Sequence, residues 1–133
     1  MSRVFLALVI VIFHLVCATS GQITMHVISD VPDKPIGHLQ VHCKSGDDDL
    51  KMRTLNDGGE FNWTFYDNIR QTTLFFCHFY WGSKDRVFDV FNRKIDHFCS
   101  PGNDNYDCYW VARVDGFYIS RNKKEWTKMY DWM

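Results

Sequence analysis

Through much of the chain, apolar and polar residues alternate singly. In 38–44, Leu39, Val41 and Cys43 fall on one side of an extended backbone, and His38, Gln40, His42 and Lys44 on the other. In 60–66, Phe61, Trp63 and Phe65 face one way, and Glu60, Asn62, Thr64 and Tyr66 the other. A period of two is the mark of a half-buried strand. Further strands are predicted at 23–28, 50–55, 73–81, 86–92, 108–114 and 117–121. The separators have turn chemistry: Pro32–Gly37, Ser45–Asp49, Asn56–Gly59 and Gly82–Asp85, with Asp115-Gly116 as a tight hairpin. Eight short strands without a convincing helix predict an all-β protein, a small antiparallel β-sandwich. Phe61, Trp63, Phe65, Phe75, Phe79 and Trp110 lie on inward faces and are the expected core. The longest polar stretch is 93–107, read as a loop. From Asn122 on, lysines mix with Trp126, Tyr130 and Trp132, a pattern that fits a docked edge or a loose tail equally.

Residues 1–20 break the alternation. Arg3 is their only charge, Val4 to Val16 form an apolar run broken only by His14, and Ala18-Thr19-Ser20 supplies small residues before Gly21. That is the layout of a secretory signal peptide. A run of thirteen residues makes a helix of roughly 20 Å, short of the ~30 Å hydrocarbon core. The division expected is therefore a cleaved signal over 1–20 and one domain over 21–133, with no membrane insertion after cleavage. The 133 residues carry 5 cysteines. Cys17 would leave with the signal, so Cys43, Cys77, Cys99 and Cys108 remain, an even set in an oxidising compartment, with three possible pairings. Two disulfides would add roughly 3–4 kcal/mol each on the loop-entropy estimate.

Charge and composition narrow the function. With 15 basic and 16 acidic side chains the net charge is −1, so no basic field exists to hold nucleic acid. The aromatic share of 17% argues for a packed core rather than disorder. Asn62-Trp63-Thr64 is an N-glycosylation sequon on the outward side of a predicted strand. His38 and His42 invite a zinc reading, but they point away from Cys43 and lie ~13 Å apart along a strand, too far to share one metal. Asp47-Asp48-Asp49 lacks the glycine and distal glutamate of an EF-hand loop. No phosphate loop, nucleophile elbow or zinc-protease motif is present, and an even cysteine set leaves no obvious thiol nucleophile. No metal, cofactor or catalytic residue is expected. Partner-binding chemistry is expected on loops held by the rigid scaffold.

Several segments taken in order then carry a resemblance. They are Val41-His42-Cys43-Lys44-Ser45 with Asp47-Asp48-Asp49-Leu50, Glu60–Phe65, Thr73–Trp81 around Cys77, and Phe88-Asp89-Val90-Phe91. Cys99 and Cys108–Tyr118 complete the set. Together, over roughly 25–120, they closely resemble the plant self-incompatibility protein family, the S-protein homologues. The resemblance implies a small secreted β-sandwich with two disulfides and no enzymatic activity. It also implies a monomeric signalling ligand that meets a cell-surface receptor protein through variable loops, as in the rejection of self pollen. The loops to which this carries are those of Asp47, Asp48 and Asp49 and of Asn103, Asp104 and Asn105. Strand positions favour Cys43–Cys108, both inward-facing, and Cys77–Cys99, which flank a predicted hairpin. The alternatives in other function classes are a cell-wall carbohydrate module using Tyr66, Tyr80 or Tyr109, and a small hydrolase.

Overall fold

A computed structural model describes residues 21–102 and 105–133. The expected signal peptide, Asn103 and Asp104 lie outside the described residues. Where the sequence alternates, the backbone is extended: β1 (Gln22–Asp30), β2 (Leu39–Lys44), β3 (Asp49–Leu55), β4 (Glu60–Tyr66), β5 (Phe75–Trp81), β6 (Lys84–Phe91), β7 (Tyr106–Arg113), β8 (Gly116–Ser120) and β9 (Thr127–Tyr130). They form two sheets, one ordered β4-β1-β7-β8-β9 and the other β3-β2-β5-β6. The all-β, two-sheet, two-disulfide architecture is the one the sequence predicts.

The core lies between the sheets. Met25, Val27 and Trp110 enter it from the five-stranded sheet, and Leu39, Val41, Phe79 and Val90 from the four-stranded one. Trp63 and Phe65 are only partly buried, because β4 is an edge strand. Trp110 also joins the sheets directly, its indole Nε1 donating to the Val90 carbonyl at 2.9 Å. At the other edge the chain crosses between sheets after β9. Trp132 packs against Phe117 and Trp81, and Met133 exchanges two backbone hydrogen bonds with Asp85 of β6 at 3.0 and 3.2 Å. The C-terminal segment is thus docked.

Four features differ from expectation. First, 93–107 is not all loop, because Arg93–Cys99 form a helix, α1, with Asn92 as its N-cap. The Asn92 side-chain oxygen accepts from the Ile95 amide at 3.0 Å. Its apolar face is Ile95, Phe98 and Cys99, at helical spacing but over too few turns to stand out against the polar residues around it. Second, β1 and β7 run parallel, while the other strand pairs are antiparallel. Third, the tight turn is Val114-Asp115, with Gly116 opening β8 opposite Arg113. Gly116 has φ +145°, and a Cβ there would meet the Tyr130 carbonyl oxygen at 2.3 Å.

The fourth is the disulfide pairing, where the expectation of Cys43–Cys108 and Cys77–Cys99 is wrong. The bonds are Cys43–Cys77 and Cys99–Cys108. Cys43 and Cys108 do both point inward, but from opposite sheets. Packed sheets stand ~10 Å apart, whereas a disulfide tolerates a Cα separation of at most ~7 Å. Cys43 and Cys77 are instead register partners on adjacent strands, with Cα atoms 4.0 Å apart. Cys99 closes α1 against β7, where Cys108 is 5.6 Å away.

Candidate functional site

Strand directions decide which loops meet. β2, β4 and β6 leave the sandwich at the end where β1, β3, β5 and β7 enter it. Loops 45–48 and 67–74, helix α1 and the approach to β7 therefore gather at one end. The stretch 45–49 and the described residues of 93–107, both named from the sequence, belong to this end.

Their roles separate there. Ser45 folds its own loop: its amide donates to the Asp48 carbonyl at 2.8 Å, and its hydroxyl accepts from the Asp48 amide at 3.0 Å. The Asp47 and Asp48 side chains have no hydrogen bond or ion pair to any described residue, and both are exposed. Asp49 is occupied instead. Its Oδ1 lies 2.6 Å from His42 Nε2 and accepts from the Lys51 amide at 2.9 Å, where Lys51 has φ +67°. These contacts, that with His42 foremost, hold its carboxyl down at about 2. Asn105 is likewise structural, its side-chain oxygen accepting from the Gln22 amide at 3.0 Å.

The loop 67–74 was not singled out from the sequence. Asn68 organises it: its side-chain oxygen accepts from the Thr72 amide at 2.9 Å and its own amide donates to the Thr73 hydroxyl at 2.9 Å. Arg93 of α1 fastens it from below. The guanidinium bonds Asp67 Oδ2 at 2.8 Å, the Gln71 carbonyl at 3.0 Å and Asp96 at 2.5 Å. Asp96 also accepts from the Tyr106 hydroxyl, and burial together with that bond pushes the phenol well above its ordinary value. The legible signal was Ile69, an apolar residue in a polar run, which the fold leaves fully exposed at the tip.

Arg93→Gln should release this loop. Asp67 would lose its cation while its other oxygen is already buried without a partner. The expected cost is about 1–2 kcal/mol, modest because Arg93 is partly solvated. Faster amide exchange at Thr72 with unchanged exchange in β7 would show it; uniform loosening would contradict it.

Between the two loops lies a cleft of about 420 Å³. Its floor is Phe65, Leu74 and Phe75, and its rim carries Asp47, Asp48 and Tyr66. Tyr66 is 61% exposed.

The remaining candidates lie on sheet faces. Asn62 stands exposed on the outer face of β4, its amide donating to Glu60 at 2.9 Å. Close by, His26 ties three strands together, with Nδ1 2.5 Å from Glu60, Nε2 2.8 Å from Asp107, and its ring stacked on Tyr109 at 4.4 Å. Tyr80 stacks on His78 on the outer face of the other sheet, at 3.9 Å. Tyr66 and Tyr109 share the outer face of the five-stranded sheet but sit opposite β1 residues four positions apart, with β1 between them, and Tyr80 is on the other sheet, so the three form no common platform. His38 and His42 each bond their own aspartate, Asp33 at 2.9 Å and Asp49 at 2.6 Å. All four described cysteines are oxidised, so none is a thiol nucleophile.

Known proteins place this geometry. A family model described as "Plant self-incompatibility protein S1" matches residues 24–132. Among curated relatives, S-protein homolog 29 of Arabidopsis thaliana is 29% identical, covering 98% of this chain and 96% of its own. S-protein homolog 18 of the same plant is 32% identical over 86% of this chain and 83% of its own. A solved structure, described as that of SPH (Self-Incompatibility Protein Homologue) proteins, "a widespread family of small, highly stable, secreted proteins from plants", superposes with a TM-score of 0.64. It covers 85% of this chain and 96% of its own, and its 18% identity makes the likeness one of fold.

Proposed function

Because the chain belongs to the plant self-incompatibility protein S1 family, we propose that it is a secreted, non-catalytic signalling ligand whose loop end engages a cell-surface receptor protein. The process is self-recognition of the kind that rejects self pollen. The observation that carries this reading is the convergence of loops 45–48 and 67–74 on one end over a braced base. A binding surface whose loops are ordered beforehand loses less entropy on association. Asp47, Asp48, Tyr66 and Ile69 present uncommitted chemistry there, while most of the histidines and many other carboxylates serve the fold. An N-glycan at Asn62 fits the same proposal. It would stand on the outer face of β4, about 13 Å along the strand from Tyr66, and leave the loop end open.

The test places one charge at each end of the sandwich. Ile69 and Val114 are both exposed, Ile69 at the loop end and Val114 at the opposite one. The oxidised protein should bind plant cell membranes saturably. Ile69→Asp should weaken that binding by about tenfold, as loss of an apolar contact at an interface does. Val114→Asp should leave it unchanged. Equal effects of the two variants, or binding that never saturates, would overturn the proposal.

A further inference from the structure

We infer that the cleft between loops 45–48 and 67–74 takes an arginine side chain from an extended peptide segment, with an apolar neighbour resting over Leu74. The inference rests on the receptor reading and names the chemistry the receptor would bring. Three observations carry it.

The first is charge. Asp47 and Asp48 are adjacent carboxylates without a cationic partner among the described residues. Other aspartates at or near this end are occupied: Asp49 by His42, and Asp67 and Asp96 by Arg93. A neutral ligand that covered Asp47 and Asp48 would desolvate two anions without compensation, whereas a guanidinium answers them with paired N–H donors.

The second is the aromatic rim. Elsewhere in the molecule arginines lie over rings: Arg53 over Phe61 at 4.8 Å, Arg86 over Tyr130 at 5.1 Å, Arg113 over Tyr118 at 4.5 Å and Arg121 over Phe98 at 4.9 Å. Tyr66, which lines the same cleft as the two aspartates, has no such cover among the described residues, although its face is the kind on which a guanidinium stacks. The third is shape. The cleft is open and floored by Phe65, Leu74 and Phe75. Leu74 is 41% exposed, so an extended segment finds apolar purchase beside the arginine. A bare cation or a single sugar would leave that surface uncovered.

The experiment uses the full oxidised chain and the blocked peptide acetyl-Ser-Leu-Arg-Val-Ser-amide, read by backbone amide shifts. The citrulline analogue and cellohexaose are the two comparison arms. Shifts should cluster at 45–48 and 65–75. D47N/D48N should weaken the arginine peptide by about tenfold and Tyr66→Ala by about fivefold, in line with one charge-assisted contact and one cation–π contact. Citrulline should bind no better than the D47N/D48N protein binds arginine. Shifts elsewhere, equal binding of citrulline, or cellohexaose taking the cleft in place of the peptide would overturn the inference.

Tyr66→Ala serves as the second variant should the asparagine pair disturb the 45–48 loop, and the amide spectrum of each variant reports its fold. Membrane binding separates this inference from the reading beneath it. Saturable binding by wild type that D47N/D48N fully retains removes the arginine cleft and keeps the ligand. Absence of saturable binding by wild type, with the arginine peptide still seated, removes the receptor reading and keeps the cleft.

Discussion

Replacing Cys43 and Cys77 together by alanine should lower stability by about 4 kcal/mol, against about 2.5 kcal/mol for the Cys99 and Cys108 pair, on the loop-entropy relation. The difference follows from the sequence spans enclosed, 34 residues for the first bond and 9 for the second. Packing adds a cost to both, since all four cysteines are buried. Truncation leaves a void beside β2 and β5 in one case and between α1 and β7 in the other, so the loop length sets the difference. Equilibrium denaturation of the two double variants without reductant gives the comparison. Equal losses, or a larger loss from the shorter loop, would contradict it. Non-reducing peptide mapping checks the pairing itself, and a linked peptide joining Cys43 to Cys108 would overturn the register of the four-stranded sheet.

Trp110→Ala should cost about 3–5 kcal/mol, the range for removing a buried large aromatic. Trp110 is 1% exposed and lies against Phe88 at 4.9 Å and Tyr130 at 6.2 Å. It is also hydrogen-bonded across the core, so it holds the two sheets at one relative position. Trp110→Phe isolates that bond. It keeps most of the apolar contact, leaves the Val90 carbonyl without its donor, and should cost about 1–3 kcal/mol. Thermal or chemical unfolding monitored by far-UV circular dichroism measures both. A phenylalanine variant as stable as wild type would show that the cross-core bond contributes nothing, and an alanine variant within 1 kcal/mol of wild type would place Trp110 outside the core.

Alternation made the strands legible because each sheet has one wet and one dry face, so position along β2 or β5 predicts burial residue by residue. It could not say which sheet a strand joins. Cys43 and Cys108 read identically as inward-facing cysteines, and only topology puts them on opposite walls. Helix α1 escaped because two turns offer too few periods to register. β9 escaped because three of its four residues are exposed and its edge position removes the alternating signal. At the loop end, composition pointed to the three aspartates and the 93–107 stretch. It could not distinguish Asp49, spent on a backbone turn, from Asp47 and Asp48, which face solvent. Loop 67–74 stayed hidden because Asn68 shapes it within a short polar run and its brace, Arg93, lies on α1, 26 positions beyond Asp67.

The placement of β1 has a kinetic consequence. It lies between β4 and β7, and its opening residue, Gln22, bonds Asn105, 83 positions later. The hairpins β5–β6 and β7–β8 close over two-residue turns and are cheap to form. β1 has no partner near it in sequence: its neighbours are β4 and β7, so its pairing closes long loops. A nascent chain therefore holds no finished five-stranded sheet until β9 has emerged. Until β7 is present β1 lacks one of its two neighbours, so the parallel β1–β7 pairing is the contact that joins the first half of the chain to the second.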